Sequence, residues 1–283
     1  MNIAPIIKIS DIIDRAIEIQ GDQLFWMFRG EKADHPDWKL QPKIWRKPPP
    51  LGKTVEQMEL ELFARFQHRG ALHDKTPREQ LLYWLLLAQH HGLPTRLLDW
   101  STNPLVAAFF AVEEENPIEF QGNVLDRVIY AYKPIKRDYD FHKEPFSVND
   151  IVRVIPDHIT NRIQVQSSVF TLHPPEKKVL EIHEGEELYK IVIPHSARER
   201  IYKELYRLNI NRGTLFPDLD NIARNVTWEE TTSLQLPAVI DDTVHELMRL
   251  YDRISGLGLP LPPPPPPPRP PSCATSLKKS KKN

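Results

Sequence analysis

The stretch Ala88–Pro104, AQHHGLPTRLLDWSTNP, limits what this chain can fold into more than any other. It joins two very apolar runs, LLYWLLL before it and LVAAFFA after it. Flanks of that kind bury themselves and draw the connection between them inward. A buried polar side chain must be hydrogen-bonded, or the fold loses about 1–3 kcal/mol for each one left bare. Thr95, Arg96, Asp99, Ser101 and Thr102 therefore form either a self-satisfied network or a surface that faces a ligand. Gly92 and Pro94 force an abrupt helix exit, and the polar residues after them read as a connection that passes through the interior to the next helix.

The elements around this stretch follow from local signals. Ile9, Ile12, Ile13, Ala16 and Ile17 recur at helical spacing, and Gly21 ends a helix over residues 9–20. Residues 24–29, LFWMFR, read as a strand with Leu24, Trp26 and Phe28 on one face. The prolines between Gly30 and Gly52 make that segment an irregular covering loop. Thr54 and Gln57 predict a capping box for a helix carrying Val55, Met58, Leu62, Phe63 and Phe66. Thr76, Pro77 and Glu79 predict the start of the LLYWLLLAQHH helix. Asn103 and Pro104 open a third, apolar on nearly all sides, and the acidic run Glu113–Glu115 reads as its solvated end.

In the second half, residues 124–133, 163–170, 178–182 and 188–193 read as strands. Ser196 and Glu199 cap a helix with Ile201, Leu205 and Leu208. A short helix follows over residues 217–224, and a last one carries Val244, Leu247, Met248, Tyr251 and Ile254. A helix-rich first half and a mainly β second half predict an α+β fold in a single domain, residues 1–256. Residues 257–283 form an extended, disordered tail, because the polyproline run from Leu259 fits neither a ladder nor an α-helix. Its Pro264, Pro267 and Arg269 match the spacing that polyproline-binding grooves read. Its lysines would add weak attraction to anionic surfaces. Truncation after Gly256 is expected to leave folding unchanged.

Lys and Arg number 37 and Asp and Glu 38 among 283 residues. That balance excludes electrostatic capture of nucleic acid or membrane by the chain as a whole. The tail's five cations, Arg269, Lys278, Lys279, Lys281 and Lys282, have no acid among them and leave the remainder at −6. Cys273, the single cysteine, allows no internal disulfide. With no apolar leader at the N-terminus and no run long enough to span a bilayer, the expected location is the cytoplasm.

Phe28-Arg29-Gly30, Trp38-x-Leu40-x-Pro42-x-x-x-Arg46 and the block Gln89–Ser101 resemble the FRG domain, a mostly bacterial family. Gln166-x-Ser168-x-Phe170-Thr171 and Leu215-Phe216-Pro217-Asp218-Leu219-Asp220 also look like it. The resemblance covers roughly residues 20–225 and implies a bacterial source. It says little about activity.

A weaker resemblance is to mono-ADP-ribosyltransferases of the Arg-Ser-Glu type. Those run from a strand ending in aromatic-Arg-Gly, through Ser-Thr-Ser before an Ala/Phe-rich helix, to a strand with glutamate. Here the order is Phe28-Arg29-Gly30, Trp100-Ser101-Thr102-Asn103 before LVAAFFA, then Gln164-x-Gln166 in a segment read as strand. The resemblance implies an ADP-ribosyltransferase-like, NAD-binding cleft in a toxin or phage-defence effector acting on a protein or nucleic-acid target. Arg29, Gly30, His91, Thr95, Arg96, Ser101 and Thr102 would bind the nucleotide, with Gln166 and Asp99 at the catalytic positions. The glutamine departs from the pattern, since an amide orients a hydroxyl but is no base. Binding is thus better supported than transfer.

Other readings stand beside these. Arg29 pairs with a carboxylate such as Asp99 or anchors a phosphate. Arg96 pairs with Asp99 in a structural clamp or faces a ligand, and on the clamp reading the chain is a non-catalytic recognition or regulatory module. Adjacent His90 and His91 diverge on a helix, so no metal site is read from them.

Overall fold

The computed structural model describes residues 5–23, 25–135, 138–157, 160–231 and 249–250. In chain order the elements are α1 (Ile9–Gln20), β1 (Met27–Glu31), α2 (Val55–Gly70), α3 (Leu81–His90), β2 (Leu97–Ser101) and α4 (Pro104–Val112). A small hairpin of β3 (Glu119–Phe120) and β4 (Asn123–Val124) follows, then β5 (Arg127–Lys133) and β6 (Val152–Val154). The chain continues through α5 (Asn161–Val165), β7 (Ser168–Leu172), β8 (Glu187–Ile193), α6 (Arg198–Arg207), α7 (Arg212–Leu215) and α8 (Leu219–Thr231). The fold is α+β, as the pattern predicts. Contacts divide the chain into residues 1–225, which hold the whole sheet, and residues 226–283. Of the second unit, residues 226–231 and 249–250 are described and are helical. The helix expected around Val244–Ile254 and the polyproline tail otherwise lie outside the described residues. Among the described residues, no helix is long and apolar enough to cross a membrane.

The main sheet runs β6-β7-β2-β1-β5-β8, every neighbouring pair antiparallel. Its central strands come from the helix-rich first half. β1 pairs with β5 along its full length, from Met27↔Tyr132 to Glu31↔Val128. β2 pairs with β7 from Leu97↔Leu172 to Ser101↔Ser168. β1 and β2 register with each other only at Phe28↔Ser101. Two three-stranded halves thus meet at one point and fork apart beyond it, toward Glu31 on one side and Leu97 on the other.

Both faces of the sheet are covered. On one, Leu97, Val154, Phe170 and Leu172 pack with Phe63 of α2 and Trp84, Leu85 and Leu86 of α3. On the other, Met27, Leu98, Trp100, Val128, Tyr130 and Tyr132 pack with Leu40 and Leu180 from loops. α4 lies on β1 and β5, with α1 and α6 behind it. Gly30 permits this. A Cβ there would lie 1.9 Å from the Ala107 carbonyl oxygen and 2.6 Å from the Ala111 nitrogen. The small residues of α4 let its backbone settle onto the glycine. α4 lacks a glycine cap at its end. Arg198 donates instead to the Val112 and Glu113 carbonyls at 2.7 and 3.0 Å, and Arg127 to those of Glu114 and Asn116. Glu113 is not simply solvated, since Arg212 pairs with it.

Four expectations are corrected. Thr95–Thr102 is more than a connection between helices: its middle is β2, whose ladder partners lie some seventy residues on. Residues 163–170 are split, with α5 capped by Thr160 (Oγ1 accepts from Ile163 N at 3.3 Å) and β7 beginning at Ser168. Residues 178–182 form no strand; Leu180 is tied to Leu40 by one backbone bond of 2.8 Å. α3 starts at Leu81, because Thr76–Gln80 forms a turn in which Pro77 accepts from Gln80 N and from Trp84 Nε1.

Beneath β2 the Trp100 indole donates to Thr171 Oγ1 at 3.1 Å, and Thr171 lies 2.8 Å from His173 Nε2. His173 Nδ1 faces the Lys177 carbonyl at 3.2 Å. This chain satisfies a neutral imidazole, and burial lowers its pKa from 6.5 to about 4. The unfolded chain therefore takes up a proton near pH 6.5 that the native chain refuses until about pH 4. Stability is fully present above pH 6.5 and falls through that window by about 3 kcal/mol for His173. His90 adds to the slope, lowered to about 4 by burial, then by Arg162 and His91. Urea midpoints from pH 7 to pH 4.5 should drop in wild type and drop less in His173→Gln. Parallel curves would contradict the assignment.

Candidate functional site

The fork between β1 and β2 gathers the charged residues of the unusual segments. Arg29 and Glu31 are two apart on β1 and so share a face. The Arg29 guanidinium meets the Glu31 carboxylate at 2.7 and 2.8 Å. Its other arm crosses the fork and donates to the Asp99 carbonyl oxygen at 2.8 Å. Arg29 thus pairs with Glu31, not with the Asp99 carboxylate. Burial alone would lower its pKa, but Glu31 and then Asp99 outweigh it and raise the value.

Two more guanidiniums approach from other elements. Arg46 follows the short helical turn Lys43–Trp45, and its Nε donates to the Gln41 carbonyl at 3.1 Å. Among the described residues no carboxylate lies within ion-pair distance of it. Its pKa is lowered, first by burial of the guanidinium and then by repulsion from Arg29, against the pull of Glu31 and Asp99. Arg162 of α5 donates to the His90 carbonyl at 3.0 Å and lies over the Phe216 ring at 4.5 Å. Burial lowers its pKa too, opposed by Asp99 and Asp218. Arg29, Arg46 and Arg162 thus all feel the charge of the exposed Asp99, while Glu31 is already held by Arg29.

The Asp99 side chain is held from behind. Gln89 Nε2 donates to its Oδ2 at 2.7 Å, and Thr95 Oγ1 donates to Gln89 Oε1 at 2.7 Å. Thr95 Oγ1 accepts from Leu97 N at 3.1 Å.

The other motif residues serve the fold. Arg96 does not clamp Asp99. It is buried on Glu59 of α2, with contacts of 2.6 and 3.1 Å and a backbone N–H on the same carboxylate. Ser101 is buried, donates to the Gln166 carbonyl at 2.7 Å and accepts from Asn103 N at 3.0 Å. Gln166 is no strand residue: it caps α5, is buried, and gives its amide to the Leu215 carbonyl at 2.9 Å. Thr102 is exposed, and its backbone N–H donates to the Ser167 carbonyl. Gly30 lies beneath α4. His91 is exposed at the end of α3, with its ring 6.3 Å from Phe66.

Of the residues expected at a site, the fork brings together Arg29 and Asp99, with Thr95 behind them. Reading the sequence missed Glu31, Arg46, Gln89 and Arg162 as members. Glu31 had a signal, since a carboxylate two positions after Arg29 in a strand lies on the same face. Arg46 and Gln89 stood inside the quoted motifs. Arg162 had no local signal. Away from the fork, a cavity of about 580 Å³ lies between the start of α3 and residues 139–145, lined by Tyr83, Tyr139 and Phe141 among others. Among the described residues no His, Cys, Asp and Glu side chains cluster so as to hold a metal ion.

No curated protein and no solved structure matches this chain. A family model matches residues 25–119, a span that opens just before β1 and takes in Arg29, Arg46, Gln89 and Asp99. Arg162 and Gln166 lie beyond it. That model is the FRG domain, and the fork between β1 and β2, apart from the guanidinium that α5 adds, is built by the FRG domain this chain carries.

Proposed function

We propose that the fork binds a phosphate-bearing nucleotide, with NAD as the first ligand to test, and that the FRG domain here is a nucleotide-recognition module. The observation that carries this is Arg46, a guanidinium beside Arg29 with no carboxylate partner among the described residues. A cation crowded by another cation is stabilised by an incoming anion, and a diphosphate offers oxygens to two guanidiniums at once. The ADP-ribosyltransferase resemblance supports the same ligand. Arg29 stands on β1, Ser101 ends β2 before α4, and Gln166 precedes β7, on strands that neighbour one another. Against transfer chemistry, the Gln166 amide is engaged by Leu215, and no carboxylate stands in its place. A setting in toxin or phage defence in a bacterial cytoplasm, with a protein or nucleic-acid target, follows from the resemblance alone.

The second reading, a non-catalytic regulatory module built on a structural network, draws support from Thr95, Arg96 and Ser101, all satisfied inside the fold. Calorimetric titration separates the two. Wild type should bind NAD, and Arg46→Ala should bind at least about tenfold more weakly, as loss of a charge-assisted bond implies, with its melting temperature unchanged. Folded wild-type protein that binds no NAD would overturn the nucleotide reading.

A further inference from the structure

Resting on that reading, we infer that the ligand is a ribonucleoside diphosphate, and that Asp99 selects it by accepting both hydroxyls of the ribose. A carboxylate accepts only, so Gln89 must turn its NH2 toward Asp99 and its carbonyl toward Thr95. The Thr95 hydroxyl donates to that carbonyl because its own oxygen already accepts from Leu97 N. Each bond in the relay fixes the next, and the amide of Gln89 cannot flip without losing both bonds. The relay uses Asp99 Oδ2 alone; Oδ1 has no hydrogen-bond partner among the described residues. The main chain of the same residue is pinned by Arg29. An exposed carboxylate fixed at both ends, with one oxygen free and cations around it, is arranged for neutral donors that accompany an anion. Vicinal hydroxyls next to a phosphate are such donors, and acidic residues read ribose in this way at other nucleotide sites. A phosphate alone would be repelled by Asp99, so the carboxylate has a use only if the ligand carries hydroxyls as well. Gln89 and Thr95 are positioning residues on this account.

The test is the affinity of the full chain for ADP against 2′-deoxy-ADP, which have the same diphosphate and base. Wild type should prefer ADP by at least tenfold. Asp99→Asn should shrink that ratio. Gln89→Leu should shrink it toward one while keeping 2′-deoxy-ADP affinity within about threefold, and Thr95→Ser should preserve it. Equal binding of the two ligands by wild type overturns the inference and leaves the nucleotide reading standing. Binding of neither by folded protein overturns the inference, and the nucleotide reading falls with it only if NAD also fails to bind. A Gln89→Leu protein with the wild-type ratio removes the relay from the account.

Discussion

Glu59→Leu should lower stability by about 3–5 kcal/mol. Glu59 and Arg96 are 2% and 3% exposed and make a two-pronged ion pair. Removing the carboxylate strands a guanidinium that cannot lose its proton in the interior. For a domain of this size that loss corresponds to a fall in melting temperature of about 10 °C. The reciprocal Arg96→Met strands a buried carboxylate and should also destabilise the fold. The double variant should recover much of the loss, since a well-packed apolar pair can replace a buried ion pair. Melting curves for the four proteins check this. A Glu59→Leu protein melting within about 2 °C of wild type would mean that the pair is not formed.

Gly30→Ala should be nearly as damaging, for a purely steric reason. The added methyl meets backbone atoms of α4 at 1.9 and 2.6 Å, so no rotamer change relieves it, and the helix must lift off β1. Forced overpacking of this kind costs about 3 kcal/mol or more. Gly92 is the control. It has φ +83 and nothing within 4 Å of its Cβ position, so Gly92→Ala meets only backbone strain, about 1–2 kcal/mol. Ala107→Gly should not rescue Gly30→Ala, because the atom met is a carbonyl oxygen and not the Ala107 methyl. Chemical denaturation ranks the variants, and a Gly30→Ala protein no less stable than Gly92→Ala would contradict the packing.

The contrast between these residues explains what the sequence reveals. α1, α2 and α4 are legible because their signals are local: the Ile stripe, the Thr54–Gln57 box, and Asn103 with Pro104. β2 is hidden because its five residues sit among Gly92, Pro94, Thr95, Arg96 and Thr102 and become a strand only through β7, far along the chain. α5 is hidden because Ile163 and Val165 look like a strand, while the Thr160 cap that overrides them is a single hydroxyl. The Arg96 partner was legible in principle. Glu59 falls on the apolar stripe Val55, Met58, Leu62, Phe63 and Phe66, where a lone acid announces a buried partner. The fork itself was not legible, since a gap between two central strands leaves no mark in either. Its position explains why the Arg29 and Asp99 motifs stand seventy residues apart yet share one place.

The most direct measurement on the central claim is a crystal structure of the full chain grown with NAD. The fork account predicts the ligand's phosphates against Arg29 and Arg46, between β1 and β2. Ligand seated instead in the cavity beside Tyr139 and Phe141, or a fork left empty at saturating NAD, would contradict it.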